Sequence, residues 1–203
     1  MTAELTKKLD PQPVTLTGKL VRMEPLGLEH AQDLYEVGMD DSIWRYLPRP
    51  AFADFADTEA WVSECVTEMG RGERVAFAVV HQASGKAIGS TAYLDIDRPH
   101  RTLEIGMTWY GTAWQRTGVN TECKYLLMSH AFEELSARRV SLKTDSRNER
   151  SQRAILRIGA VEEGTWRNHR IAWDGVDRHS VYFSVIDSEW PEVKRRLEGF
   201  MRR

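Results

Sequence analysis

Between Thr102 and Trp109, the side chains Leu103, Ile105, Met107 and Trp109 alternate with Glu104, Gly106 and Thr108. A period of two gives a strand with one apolar and one polar face. Lys19–Glu24 alternates in the same way, and Arg139–Thr144 is a further strand. Val75–His81 and Ala87–Asp95 flank the turn Ala83–Lys86 and predict a hairpin. A second hairpin is expected late in the chain, from Gly164–Trp173, the turn Asp174–Gly175 and His179–Val185.

Elsewhere the apolar spacing lengthens. Cys123, Leu127, Ala131 and Leu135 recur every four residues, one buried stripe on a helix from about Asn120 to Leu135. Leu28–Gly38 and Thr58–Gly70 predict two helices, the second capped by Asp57 or Thr58. Another helix runs from about Asn148 to Ile158, with Gly159 placed to end it in the left-handed conformation. Trp190–Arg203 reads as a short basic helix, separate from a body spanning residues 14–190. Residues 1–13, polar with two prolines, read as a loose arm. The aromatic and proline-rich segment Ile43–Pro50 is a loop that either lines a pocket or packs as a lid on the core.

Composition narrows the function. The 203 residues carry a formal charge of -2, poor support for nucleic-acid binding despite the basic tail at Lys194–Arg196 and Arg202–Arg203. The cysteines Cys65 and Cys123 have neither the number nor the spacing of a zinc site or disulfide framework, and no metal is expected. With no signal-peptide core and no bilayer-length apolar run, the expected compartment is the cytoplasm and no membrane partner is expected.

The chemistry concentrates at Gln115–Gly118, between a strand and a helix. First-turn amides of a helix lack intrahelical partners, and the helix dipole adds positive character there, so an anion fits. Gly118 removes a Cβ from the approach, and Arg116 can add a charged fork. The plainer alternative is a glycine loop capped by Asn120 or Thr121.

The order of strand, Gln115–Gly118, helix, strand and Asn148–Ser151 on a further helix resembles the GCN5-related N-acetyltransferases (GNAT), as does Glu104–Trp109. Asn148–Ser151, Ile158–Gly164 and Arg178–Ser184 resemble the RimJ/RimL branch, the ribosomal-protein N-terminal acetyltransferases. The resemblance implies a single α/β (α+β) domain. Its sheet would be mixed, mostly antiparallel and twisted, with about seven strands, flanking helices and splayed central strands. It also implies acetyl-CoA as cosubstrate, an amine acceptor (a peptide N-terminus, an aminoacyl compound or a small amine) and a homodimer.

By the same resemblance, the pyrophosphate sits on the loop Gln115, Arg116, Thr117, Gly118, Val119, Asn120 and Thr121, and pantetheine enters between the strands around 104–109 and 139–144. An oxyanion develops as the amine attacks the thioester, and its donor comes from the backbone near Met107 or Thr108. Asn148 binds a pantetheine amide or caps its own helix; Ser151 helps protonate the leaving thiolate or satisfies local backbone. Glu104 is a candidate base, or else an ion pair. The RimL type can carry a glutamate nineteen residues after the serine; here Arg170 stands at that place. Its neighbour His169 can accept a proton, yet alternation sends it to the opposite face unless a bulge intervenes. Asn120 replaces the family's glycine or alanine and either caps, offers its amide to phosphate or crowds the cradle. Three readings follow: an acetyl-CoA-dependent N-acetyltransferase, a catalytically silent acyl-CoA-binding module, and a nucleic-acid-associated protein using the basic tail.

Overall fold

Eight strands form one sheet in the computed structural model, which describes residues 9–202. They are β1 (Leu16–Thr17), β2 (Val21–Pro25), β3 (Val75–His81), β4 (Ala87–Asp97), β5 (Thr102–Tyr110), β6 (Arg139–Asp145), β7 (Val161–Ile171) and β8 (Asp177–Ile186). The helices are α1 (Ala31–Gly38), α2 (Asp41–Trp44), α3 (Phe55–Gly70), α4 (Val119–Ser129), α5 (Glu149–Ile158) and α6 (Trp190–Met201). The sheet order is β1-β2-β3-β4-β5-β6-β8-β7, and only the β5–β6 pairing is parallel. The short β1 takes the count one above the expected seven.

Successive residues of β3 serve opposite faces. Phe77 and Val79 enter one core with Tyr93, Leu127 and Phe183, while Ala76, Ala78 and Val80 enter a second with Trp44, Phe52 and Trp61. Burying such side chains contributes roughly 1.5–3 kcal/mol each, so both faces of the sheet are anchored.

The two middle strands hold together briefly. Thr102, Leu103 and Glu104 of β5 pair with Arg139, Val140 and Ser141 of β6, and there the pairing stops. Beyond it, Ala92 of β4 faces Gly106 and Ser90 faces Trp109, so β5 carries one extra residue, with Met107 at φ +49°. A bulge of this kind bends a strand and reverses its alternation. The expected common face of Leu103, Ile105, Met107 and Trp109 is therefore overturned. Leu103 and Ile105 lie in the first core, but Trp109 lies in the second with Met107 packed against it. Glu104 and Thr108 likewise part company, Glu104 toward Lys143 of β6 and Thr108 toward Lys124 of α4.

Several boundaries also move. Asp54, whose carboxylate accepts from the amide of Asp57 at 2.8 Å, caps α3 three residues earlier than expected. Neither Asn120 nor Thr121 caps α4: Gly118 is the N-cap, without a side-chain bond. That helix ends at Ser129 in a π turn over His130–Glu134, closed by the Leu135 amide on the His130 carbonyl at 3.0 Å. The segment after Ile43 carries the last turn of α2, and β7 starts at Val161. Gly159 does close α5, at φ +104°. Residues 9–13 are not loose: Leu9 is fully buried, and Asp10 pairs with Arg98 at 2.9 Å. Residues 1–8 of the expected arm and Arg203 of the tail lie outside the described residues. Among the described residues no helix is long and apolar enough to cross a membrane.

Candidate active site

Where β5 and β6 separate, a cleft of about 1450 Å³ opens. Its walls include Glu104, Met107 and Thr108 from β5, and Asn148 and Ser151 from the start of α5. The Gln115–Gly118 loop, Asn120 and Thr121 form one end. Of the sequence-predicted residues, only Val119 and His169 are off this wall: Val119 is buried in the first core, and His169 borders a separate depression with Trp166 and His179.

The loop before α4 is built from local bonds. The Thr117 hydroxyl donates to the Trp114 carbonyl at 2.7 Å and accepts weakly from the Val119 amide at 3.3 Å. The amides of residues 116, 117, 118, 120 and 121 have no protein acceptor among the described residues. Arg116 takes the left-handed strain, at φ +62°, whereas Gly118 sits at an ordinary φ of -67°. Gly118 matters through its missing side chain. A Cβ there would meet only the flexible tip of Leu20, at 2.9 Å; its absence leaves the loop backbone open to close approach by a ligand. Asn120 lies within the first turn with its side chain turned to Tyr110, whose hydroxyl donates to its Oδ1 at 3.3 Å. Thr121 Oγ1 accepts from Arg157 at 2.7 Å, and Gln115 Oε1 from Arg150 at 2.6 Å. A cradle of free amides at a dipole's positive end, rimmed by Arg116, Arg150 and Arg157, fits a diphosphate.

At the start of α5, Asn148 Oδ1 accepts from the Ser151 amide at 3.1 Å, so its carbonyl oxygen caps the helix while its NH₂ makes no bond among the described residues. Ser151 is half-buried on the wall beside Ile155, and its hydroxyl likewise has no partner among the described residues.

Glu104 is only 2% exposed, and Lys143 donates to it at 2.7 Å while also reaching Asp95 at 3.2 Å. Burial pushes the Glu104 carboxyl up, and the Lys143 ammonium offsets only part of this. Lys143 is held protonated, because its two carboxylates outweigh its own burial. A Cβ at Gly106 would stand 2.5 Å from Glu104 Oε1, so that glycine makes room for the carboxylate. His169 does reach the Glu104 face, because β7 is irregular between Trp166 and Arg170 with Asn168 at φ +49°. There its Nδ1 bonds Ser180 at 2.9 Å and its Nε2 lies 3.4 Å from the Tyr182 hydroxyl. Burial and the nearby Arg170, Lys143 and Arg178 charges hold it neutral.

Two groups escaped the sequence reading. Lys124, 6% exposed, donates to Thr108 Oγ1 at 3.0 Å, and burial lowers its pKa to about 8. Four arginines (Arg45, Arg147, Arg170 and Arg178) line the part of the cleft beside the Ile43–Pro50 segment. The Arg45 and Arg147 guanidiniums lie 5.4 and 5.8 Å from the Tyr46 ring, and Arg178 donates to the Tyr46 carbonyl at 3.4 Å. Trp173 of the β7–β8 turn donates to the Trp44 carbonyl, also at 3.4 Å. The Ile43–Pro50 segment and the last hairpin thus meet over this part of the cleft. Lys124 carried one signal in the sequence, a charge beside the buried Cys123; the arginine group, spread over 134 positions (45 to 178), carried none.

Residues 21–161 match the family model described as an acetyltransferase (GNAT) domain. YdaF of Bacillus subtilis is 32% identical over 110 residues, 54% of this chain and 59% of that protein; the match thus spans well under two thirds of it. The ribosomal-protein-serine acetyltransferase of Escherichia coli is 26% identical over 163 residues, 79% of this chain and 89% of that one. The crystal structure of a GCN5-related N-acetyltransferase from Brucella melitensis superposes with a TM-score of 0.90 at 30% identity, covering 98% of this chain and 90% of that one.

Proposed function

Since the chain belongs to the GNAT acetyltransferase family, we propose that it moves the acetyl group of acetyl-CoA to a primary amine, a peptide N-terminus or small aminoacyl compound, through a tetrahedral intermediate. The observation that carries this reading is the set of unpartnered amides at the start of α4, beside a cleft that opens where β5 leaves β6. In this reading those amides and Arg116 hold the pyrophosphate, and the free NH₂ of Asn148 meets the pantetheine arm. The amine nitrogen bonds to the thioester carbon, the oxyanion rests on backbone donors at the Met107 bulge, and the carbon–sulfur bond then breaks. The Ser151 hydroxyl, without a protein partner among the described residues, hands the departing sulfur a proton in this reading. An α-amine, with a pKa of about 8, is roughly one-tenth free base near neutral pH, far more than a lysine side chain with a pKa of about 10.4. Glu104, buried and paired, then has only to receive a proton through water.

Gly118→Glu tests the reading. The backbone there tolerates a side chain and only Leu20 must move, so the variant folds, but its carboxylate opposes the diphosphate. Calorimetry is expected to show acetyl-CoA affinity falling about 10-fold or more, with thiol release across an amine panel falling alongside. Undiminished affinity would remove the cradle from the argument. Tight acetyl-CoA binding by the unaltered protein without transfer to any amine would instead identify a silent acyl-CoA-binding module.

A further inference from the structure

Arg170 and Arg178 are register partners across β7 and β8, and both line the cleft. Like charges directly opposite each other destabilise a sheet. Nearby carboxylates relieve the cost only in part, because each is bonded to another cation. Asp145 is occupied by Arg147, whose Nε and NH2 donate to its two oxygens at 2.9 and 2.6 Å. Glu104 and Asp95 are occupied by Lys143, and Asp174 at the hairpin turn faces Arg147. Among the described residues, Arg45, Arg170 and Arg178 therefore have no carboxylate within ion-pair distance, in a chain whose formal charge is -2.

Arg178 is the most constrained of the three. It is half-buried, its Nε donates to the fully buried Ser180 hydroxyl at 3.2 Å, and NH1 reaches Tyr46. These bonds fix its plane and leave NH2 without a protein partner among the described residues. Burial works most strongly against its protonation, the nearby Asp145 carboxylate offsets part of this, and the neighbouring Arg170 charge opposes it again, but a guanidinium keeps its charge. A partly desolvated, oriented guanidinium beside a second one is a fork for a planar oxyanion. It lines the same cleft that, in the acetyltransferase reading, the acceptor must also enter.

We propose that Arg178 and Arg170, with Arg45 across the cleft, bind a carboxylate carried by the acceptor, so that the favoured acceptors are acidic amines. The inference rests on the acetyltransferase reading. The carboxylate comes from one of two sources, the α-carboxylate of a free amino acid or an Asp or Glu side chain beside a peptide's terminal amine.

The test uses matched acceptors with acetyl-CoA and thiol release as readout, each rate corrected for its fraction of free amine. One arm compares amino acids with their amides; the other compares peptide amides bearing Asp or Asn at the second position. At low ionic strength the acid of at least one pair is expected to show kcat/KM about 10-fold higher or more, and the arm that discriminates names the source. Arg178→Gln is expected to collapse the preference to within about 3-fold while the KM for acetyl-CoA stays unchanged. Arg170→Gln, at an exposed position whose side chain has no hydrogen-bond partner among the described residues, gives the same collapse free of any folding penalty. Equal use of acid and amide by the unaltered enzyme, or a preference surviving both substitutions, overturns the inference and leaves the acetyltransferase reading standing. Absence of transfer to every amine overturns both.

Discussion

Lys124 shows what one buried charge does to a site. Its ammonium has a single hydrogen-bond partner, the Thr108 hydroxyl, which is itself shared with Thr91 at 2.8 Å. Burial is the leading reason its pKa falls from 10.5 to about 8. The folded chain therefore releases this proton near pH 8, and the unfolded chain releases it near 10.5. Between those values the unfolded state binds more protons, so the contribution of Lys124 to stability rises with pH across the window and is flat below it. A shift of this size corresponds to about 3 kcal/mol. Denaturant unfolding of the protein and of Lys124→Met should give stabilities that converge, or cross in favour of the unaltered chain, by that amount from pH 8 to 10.5. Parallel pH profiles would show that the ammonium is better solvated than its place in the fold indicates.

At the scale of elements, α4 is held at its first turn by a carboxylate. Glu122, 4% exposed, accepts the amides of Lys19, Leu20 and Val21 at 2.8–2.9 Å, so the β1–β2 turn hangs from the helix that follows the Gln115–Gly118 loop. Hydrogen bonds to a charged group contribute about 1.5–3 kcal/mol each. Glu122→Ala strands three donors and is expected to cost about 3 kcal/mol or more in chemical denaturation, with Glu122→Gln intermediate; a loss under 1 kcal/mol would show that water replaces the carboxylate. How much of each element could be read in advance follows from how local its signals are. Asn148 and Gly159 bracket α5 as expected, because a cap and a left-handed terminus are set by residues within one turn. The β5 bulge was only half legible: a glycine inside a strand, here Gly106, is a common mark of a bulge or close approach, but the positive φ falls one residue on, at Met107. Thus the free amides of residues 116–118 could be anticipated, but not the separation of Glu104 from Thr108.

For the whole molecule, topology decides what the sequence conceals. The total charge of -2 gives no hint of the arginines gathered from α2–α3, β6–α5 and the last hairpin, because only the fold brings positions 45, 147, 170 and 178 together. The two cores are the reverse case: the unbroken apolar run Val75–Val80 in β3 announces a sheet covered on both faces. Between the halves of that sheet, the seam at β5–β6 is three register pairs long. Such a joint leaves a gap where rungs are missing, and a molecule lying along it acts as a splint, supplying from outside the cross-links the strands do not make. Acetyl-CoA should then raise the melting temperature and slow amide exchange most at residues 105–110 and 141–145. Protection spread evenly over the sheet would mean that the two halves are already stiff without it.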